Sequence, residues 1–201
     1  IPSVSLGYNL TATQMLKMSY NMRIQRPDIG ALSPYISRNT PEEMAYGNPN
    51  LKSAKAHNID VSYNTFSTKF SLNTTVSYSF SNNGLTSYSF IDKNNILNTT
   101  SDNFLHSKGL NLNMFMNWTV FNGTTLNFNG GGSYRDLKVN RTQDHNYGFQ
   151  GFGWGGITQQ LPAKLKAELW MGGNTRDVLL QGKGSGFLFY SLNLSHEFLK
   201  E

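Results

Sequence analysis

Hydrophobic and polar residues alternate along almost the whole chain. In GLNLNMFMNWTV (residues 109–120), Leu110, Leu112, Met114, Met116 and Trp118 share one parity. Asn111, Asn113, Asn117 and Thr119 share the other, with Phe115 the single apolar residue among them. A period of two is that of a β-strand with one apolar and one wet face. The same pattern sets Val4, Leu6 and Tyr8 against Ser5, Gly7 and Asn9, and Leu16, Met18, Tyr20, Met22 and Ile24 against Lys17, Ser19, Asn21 and Arg23. It continues through Ile59, Val61 and Tyr63, then Phe70, Leu72, Val76, Tyr78 and Phe80. Leu126, Phe128 and Tyr134 follow, then Leu165, Ala167, Leu169 and Met171, and finally Leu188, Tyr190, Leu192 and Leu194. The Gly-rich stretch NYGFQGFGWGGITQQ (146–160) is strand-like, but its alternation does not assign its faces.

About nine strands result, many of ten residues or more, whereas strands of globular proteins centre on about five or six. A tilted strand needs roughly 9–11 residues to cross the hydrocarbon of a bilayer. The connections alternate in size as well. TATQ, TFS, FNG and LPA are tight, whereas residues 26–55 and 82–103 read as long loops. Tight turns at one end and long loops at the other are the organisation of an outer-membrane barrel. The expected fold is therefore all-β: an antiparallel transmembrane β-barrel segment with long strands. The Leu/Met/aromatic parity is expected to meet lipid, including Leu110, Leu112, Met114, Met116 and Trp118. The Asn/Ser/Thr parity is expected to line a wet lumen. Tyr20, Tyr78 and Tyr134 would form one aromatic girdle, with Tyr63, Phe70 and Trp118 in the other.

Composition agrees with two wetted faces rather than a packed globule. Only 38% of the 201 residues are hydrophobic and 14% charged, against about half and a quarter in ordinary soluble domains. Mean hydropathy is −0.43, and no apolar run approaches the ~20 residues of a membrane-spanning helix. The net charge is +5, but Lys and Arg are spread thinly, which disfavours nucleic acid as a partner. The chain opens on Ile1 in full alternation, as expected where numbering starts inside a larger protein.

Catalytic and metal chemistry find little support. There are no cysteines, and His57, His106, His145 and His196 lie scattered without ligand spacing. Glu42 and Glu43 are adjacent loop carboxylates. The GGGS stretch at Gly130 opens no helix, so a phosphate cradle is not expected. Its glycines sit within a strand, where barrels place bends or close backbone contacts. The N-x-[ST] matches at Asn73 and Asn117 fall inside strands and follow from an Asn/Thr-rich composition. No catalytic residue, cofactor site or metal site is assigned, and the chain is not expected to be an enzyme.

Residues 19–52 carry a more specific pattern. Ser19, Tyr20, Arg23, Arg26, Pro27, Leu32, Pro34 and Tyr35 are followed by Gly47, Asn48, Pro49, Leu51 and Lys52. This arrangement resembles the C-terminal barrel of TonB-dependent outer-membrane receptors, most closely over residues 2–63. Ser53-Ala54 stands where that family commonly has Pro-Glu. The resemblance implies an approximately 22-stranded barrel of the bacterial outer membrane, with an N-terminal plug domain and the TonB complex as partners through the parent protein. Family barrels tend to end on an aromatic residue, whereas this chain stops at HEFLKE, read as a turn. Residues 1–201 are accordingly expected to be a partial barrel domain, one stretch of wall and extracellular loops in a nutrient transporter.

Two rival readings share the alternation. One is a soluble or surface-exposed β-sheet module that binds glycan or protein. The other is a small stand-alone porin-like barrel, which would need an even strand count. Within the long loop, Pro27, Pro34, Pro41 and Pro49 suggest an irregular, structureless course. Tyr35, Met44 and Tyr46 offer apolar or stacking contact there, and Arg26 and Arg38 offer donors to an anionic or oxygen-rich ligand. The bland alternative is a loop that only braces the rim.

Overall fold

The computed structural model describes residues 2–139, 144–180 and 182–198; the end of HEFLKE, read as a turn, lies outside them. The strands are β1 (Ser3–Thr11), β2 (Gln14–Gln25), β3 (Ser37–Thr40), β4 (Glu43–Ala45), β5 (Ala54–Phe66) and β6 (Phe70–Ile91). They continue as β7 (Leu97–Phe121), β8 (Thr124–Val139), β9 (His145–Leu161), β10 (Leu165–Asn174) and β11 (Phe187–His196). One four-residue helical turn, α1 (Ile29–Leu32), follows β2. All strands belong to a single sheet.

Nine strands form an antiparallel meander in the order β1-β2-β5-β6-β7-β8-β9-β10-β11, and the short β3–β4 hairpin attaches to its flank. Among the described residues β1 and β11 pair with β2 and β10 alone, so the sheet is open. Among the described residues no second sheet packs against it, as a sandwich would require. The buried apolar residues among those described are Leu51, Ala54, Val139 and Val178. Leu110, Leu112 and Trp118 are by contrast 51%, 43% and 42% exposed. The alternation therefore does not build an internal core. It builds one apolar and one polar surface.

Register makes each surface continuous. Val4, Tyr20, Ile59, Tyr78, Leu110, Tyr134 and Phe149 form one unbroken cross-strand row. It contains the three tyrosines expected in one girdle. Of the other expected girdle, Phe70 and Trp118 face each other, edge to face at 6.4 Å. Tyr63 stands opposite Thr74 in a different row of the same face.

The polar surface explains the choice of amides and hydroxyls, because opposed residues hydrogen-bond across strands. Asn117 donates to Asn127 at 2.5 Å, and Asn73 donates to Asn64. Ser62 and Thr75 pair at 2.9 Å. Asp60 accepts from Asn58 at 2.6 Å, Ser19 at 3.3 Å and Asn21 at 3.4 Å. Such pairs of amides and hydroxyls, with the Asp60 carboxylate held by neutral donors, avoid a row of opposed like charges, which would be destabilising.

Two expectations are corrected. Residues 82–103 are not a loop: β6 and β7 run on as a long hairpin, closed by a turn after Ile91. There the Asp92 carboxylate accepts from Asn94 N at 2.8 Å and Ile96 N at 3.0 Å. The hydrogen bond from the Ile96 backbone is the main cause holding its pKa below the ordinary value. The segment 26–55 is not structureless either. It folds into α1, the β3–β4 hairpin and a bracing turn, and β4 pairs in parallel with the start of β7. The prolines lie outside these short elements, where no ladder N–H is required.

Candidate functional site

The long-loop end of the sheet holds a cleft of about 660 Å³. Asp28 caps α1, its carboxylate accepting from Ala31 N at 2.6 Å, as side-chain acceptors do at helix N-termini. The chain then returns through Gly47, whose N–H donates to Ser33 O at 2.9 Å, and Asn48, whose N–H donates to Ala31 O at 2.6 Å. A Cβ at Gly47 would stand 2.5–2.6 Å from three backbone oxygens, so only glycine permits this approach. Asn48 also donates to Ser101 O at 3.2 Å, and Lys52 N donates to the Asn103 side chain at 2.6 Å. The GNPNLK stretch is thus a brace that ties the loop to β7.

Arg26, Tyr35 and Tyr46 line this cleft together with serines and threonines of β6 and β7. Of the five residues expected at a ligand site, these three come together. Arg38 lies exposed on β3 and Met44 half-buried on β4, and neither is on the lining. Both sit on the hairpin, which reaches the lining only through its paired end residues Ser37 and Ala45. Thr100 was not anticipated. It is buried on the cleft wall, and its hydroxyl has no protein partner among the described residues. A buried polar group without a partner calls for one. No sequence signal marked it, because its burial is created by the loop folding onto β7.

Leu110, Leu112, Met114, Met116 and Trp118 all lie on the apolar face, opposite Tyr78, Val76, Thr74, Leu72 and Phe70 of β6. The faces of β9 are now assigned. Tyr147, Phe149, Gly151, Gly153, Gly155 and Ile157 join the apolar side, paired with Asp136, Tyr134, Gly132, Gly130, Phe128 and Leu126. Phe152 and Trp154 lie on the polar side with Phe115, Trp170, Phe187 and Phe189. The polar face therefore carries an aromatic patch, which the Gly-rich alternation concealed. Gly156 makes room for the Trp170 ring, which a Cβ would meet at 2.5 Å. No group of three His, Asp or Glu side chains among the described residues could hold a metal ion.

A meander of strands far longer than globular ones, without an internal core and with a belt of exposed apolar side chains, defines the wall of a membrane β-barrel. The chain belongs to the outer membrane protein beta-barrel family, whose model matches residues 1–201. Its place is the bacterial outer membrane. No curated protein matches the chain in sequence.

Proposed function

We propose that this chain is the barrel-wall and extracellular-loop portion of a TonB-dependent outer-membrane receptor for nutrient uptake. In this reading the apolar face meets lipid, the polar face lines the lumen, and the long-loop end faces outside. The complete barrel would have about 22 strands, a separate N-terminal plug domain would fill it, and the TonB complex would drive transport. The activity is transport rather than catalysis. The observation that carries the proposal is the cleft. Five of the thirteen residues that resemble the receptor family line it: Arg26, Pro27, Tyr35, Gly47 and Leu51.

The same observation divides the loop. The brace around Gly47 and Asn48 is architecture, and the ligand contact belongs to Arg26, Tyr35, Tyr46 and the Thr100 hydroxyl. Arg38 and Met44 belong to the hairpin, which would contribute by closing over the cleft. The test replaces residues 36–46 by a Gly/Ser linker in the full-length protein. Ligand uptake should be lost while heat-modifiable gel mobility, a sign of assembled barrel, is kept. Surviving uptake would make the hairpin scaffold only. Uptake unaffected by loss of the TonB complex would remove the receptor reading itself.

A further inference from the structure

The apolar face is not uniformly covered. Gly130, Gly153 and Gly173 face one another across β8, β9 and β10, and Gly132 faces Gly151 one step further along. Five adjacent positions thus lack side chains in the middle of this face. Phe128 leans over part of the bare backbone, since a Cβ on Gly130 would meet its ring at 2.8 Å. At Gly132 and Gly153 the space is open, since a Cβ there would meet nothing nearer than 3.7 Å, whereas at Gly151 and Gly173 backbone of the neighbouring strands, Gly131 O and Phe187 O, stands close. The result is a cavity of about 1050 Å³ whose apolar-face side chains include Met116, Phe128, Ile157, Leu169 and Met171. A second hollow of about 470 Å³, between Leu110, Leu112, Tyr134 and Phe149, shares Gly151 with it and continues toward the long-loop end.

Charge begins where the second hollow ends. Beyond the row of Leu110, Tyr134 and Phe149, the next row on the same face is Lys108, Asp136 and Tyr147. The row after it is His106, Lys138 and His145. Lys108 and Lys138 are exposed. The Asp136 carboxylate between them accepts from His145 Nε2 at 2.8 Å, so the acid is engaged by its neighbour. A long apolar trough capped by two lysines and an aromatic ring matches an amphiphile with hydrocarbon chains and an anionic head.

We propose that this trough is a fixed binding site for a phosphorylated, acylated lipid of the outer leaflet. Its acyl chain lies along the glycine row, and its phosphate meets Lys108 and Lys138. A surface without side chains leaves a groove that a flexible chain can fill with close contact, where Leu or Phe would exclude it. The head group falls at the long-loop end, which assigns it to the outer leaflet. The inference rests on the apolar face meeting lipid.

The test uses the full-length protein in detergent and native mass spectrometry, with lipid A as probe in its bis-phosphorylated and dephosphorylated forms. The phosphorylated form should be retained on the wild type, and the dephosphorylated form should be lost. Lys108→Glu with Lys138→Glu should weaken retention about tenfold or more, the scale of one lost charge-assisted contact. Gly153→Leu, which fills the trough, should weaken it as well, with heat-modifiable mobility showing that each variant is assembled. Equal retention of both lipid forms, or indifference to all substitutions, would overturn the proposal. So would a second copy of the protein covering the trough, seen as a dimer cross-linked through Met171→Cys. A cysteine at Leu112 separates the premise from the inference. If a water-soluble thiol reagent labels it, the lipid-facing premise is wrong; if it stays shielded while no lipid is retained, the inference alone fails.

Discussion

Leu112 and Val76 face each other across β7 and β6, while their chain neighbours Asn113 and Thr75 face each other on the opposite side of the same sheet. One step along the backbone thus exchanges one solvent for another. In the assembled protein, cysteines at Leu112 and Met116 should resist a water-soluble thiol reagent, and cysteines at Asn111 and Asn113 should react wherever the lumen is wet. Leu112→Arg should cost about 2–4 kcal/mol at mid-bilayer, and Asn113→Arg far less. Equal labelling of both parities would refute the assignment of the faces.

Gly47 gives a sharper local test. Its missing side chain allows three carbonyl oxygens of the α1 turn to close around it. Gly47→Ala should displace the brace at a cost of about 1–3 kcal/mol, the range for forcing atoms into a filled site. Limited proteolysis should then cut within residues 26–55 while the barrel remains heat-modifiable. A variant as resistant as the wild type would mean that the loop has slack which the structure does not show.

The tip of the β6–β7 hairpin should respond to acid. Asp92 accepts from the Ile96 and Asn94 amides, and its folded pKa lies below the ordinary carboxylate value. The carboxylate therefore stabilises the turn fully above the unfolded value, and that contribution disappears as pH falls through the folded value. Following the Ile96 amide by NMR should give a midpoint below that of a free aspartate. Asp92→Asn should abolish the transition. A midpoint at or above the ordinary value would contradict the hydrogen bonding seen here.

The sheet's two edges lead to a further expectation. Residues 2–198 expressed alone present β1 and β11 with unpaired backbone groups, each costing several kcal/mol in hydrocarbon. The isolated piece should aggregate or pair edge to edge rather than insert as a monomer. A monodisperse, protease-resistant monomer in lipid would instead favour a small self-closing barrel.

The alternation by itself determined most of the strands, about nine along the meander, and their two faces, except in the Gly-rich β9. Side-chain direction in a strand is fixed by parity alone, so Leu110 to Trp118 could be assigned to one surface without knowing any neighbour. That Tyr20, Tyr78 and Tyr134 share a face was legible for the same reason, whereas their standing in one row follows from register. Three things needed the tertiary structure. Residues 82–103 have too little alternation to read as strand, and they extend as a hairpin because β6 and β7 supply each other's hydrogen bonds. The cleft depends on contacts between the loop and β7, such as Asn48 to Ser101, and separations of that kind leave no periodic trace. The glycine trough depends on register: Gly130, Gly153 and Gly173 lie on three different strands, and only pairing brings them side by side. A sequence fixes which way each residue points, but which residues meet across a sheet is decided by how far each strand slides before it bonds.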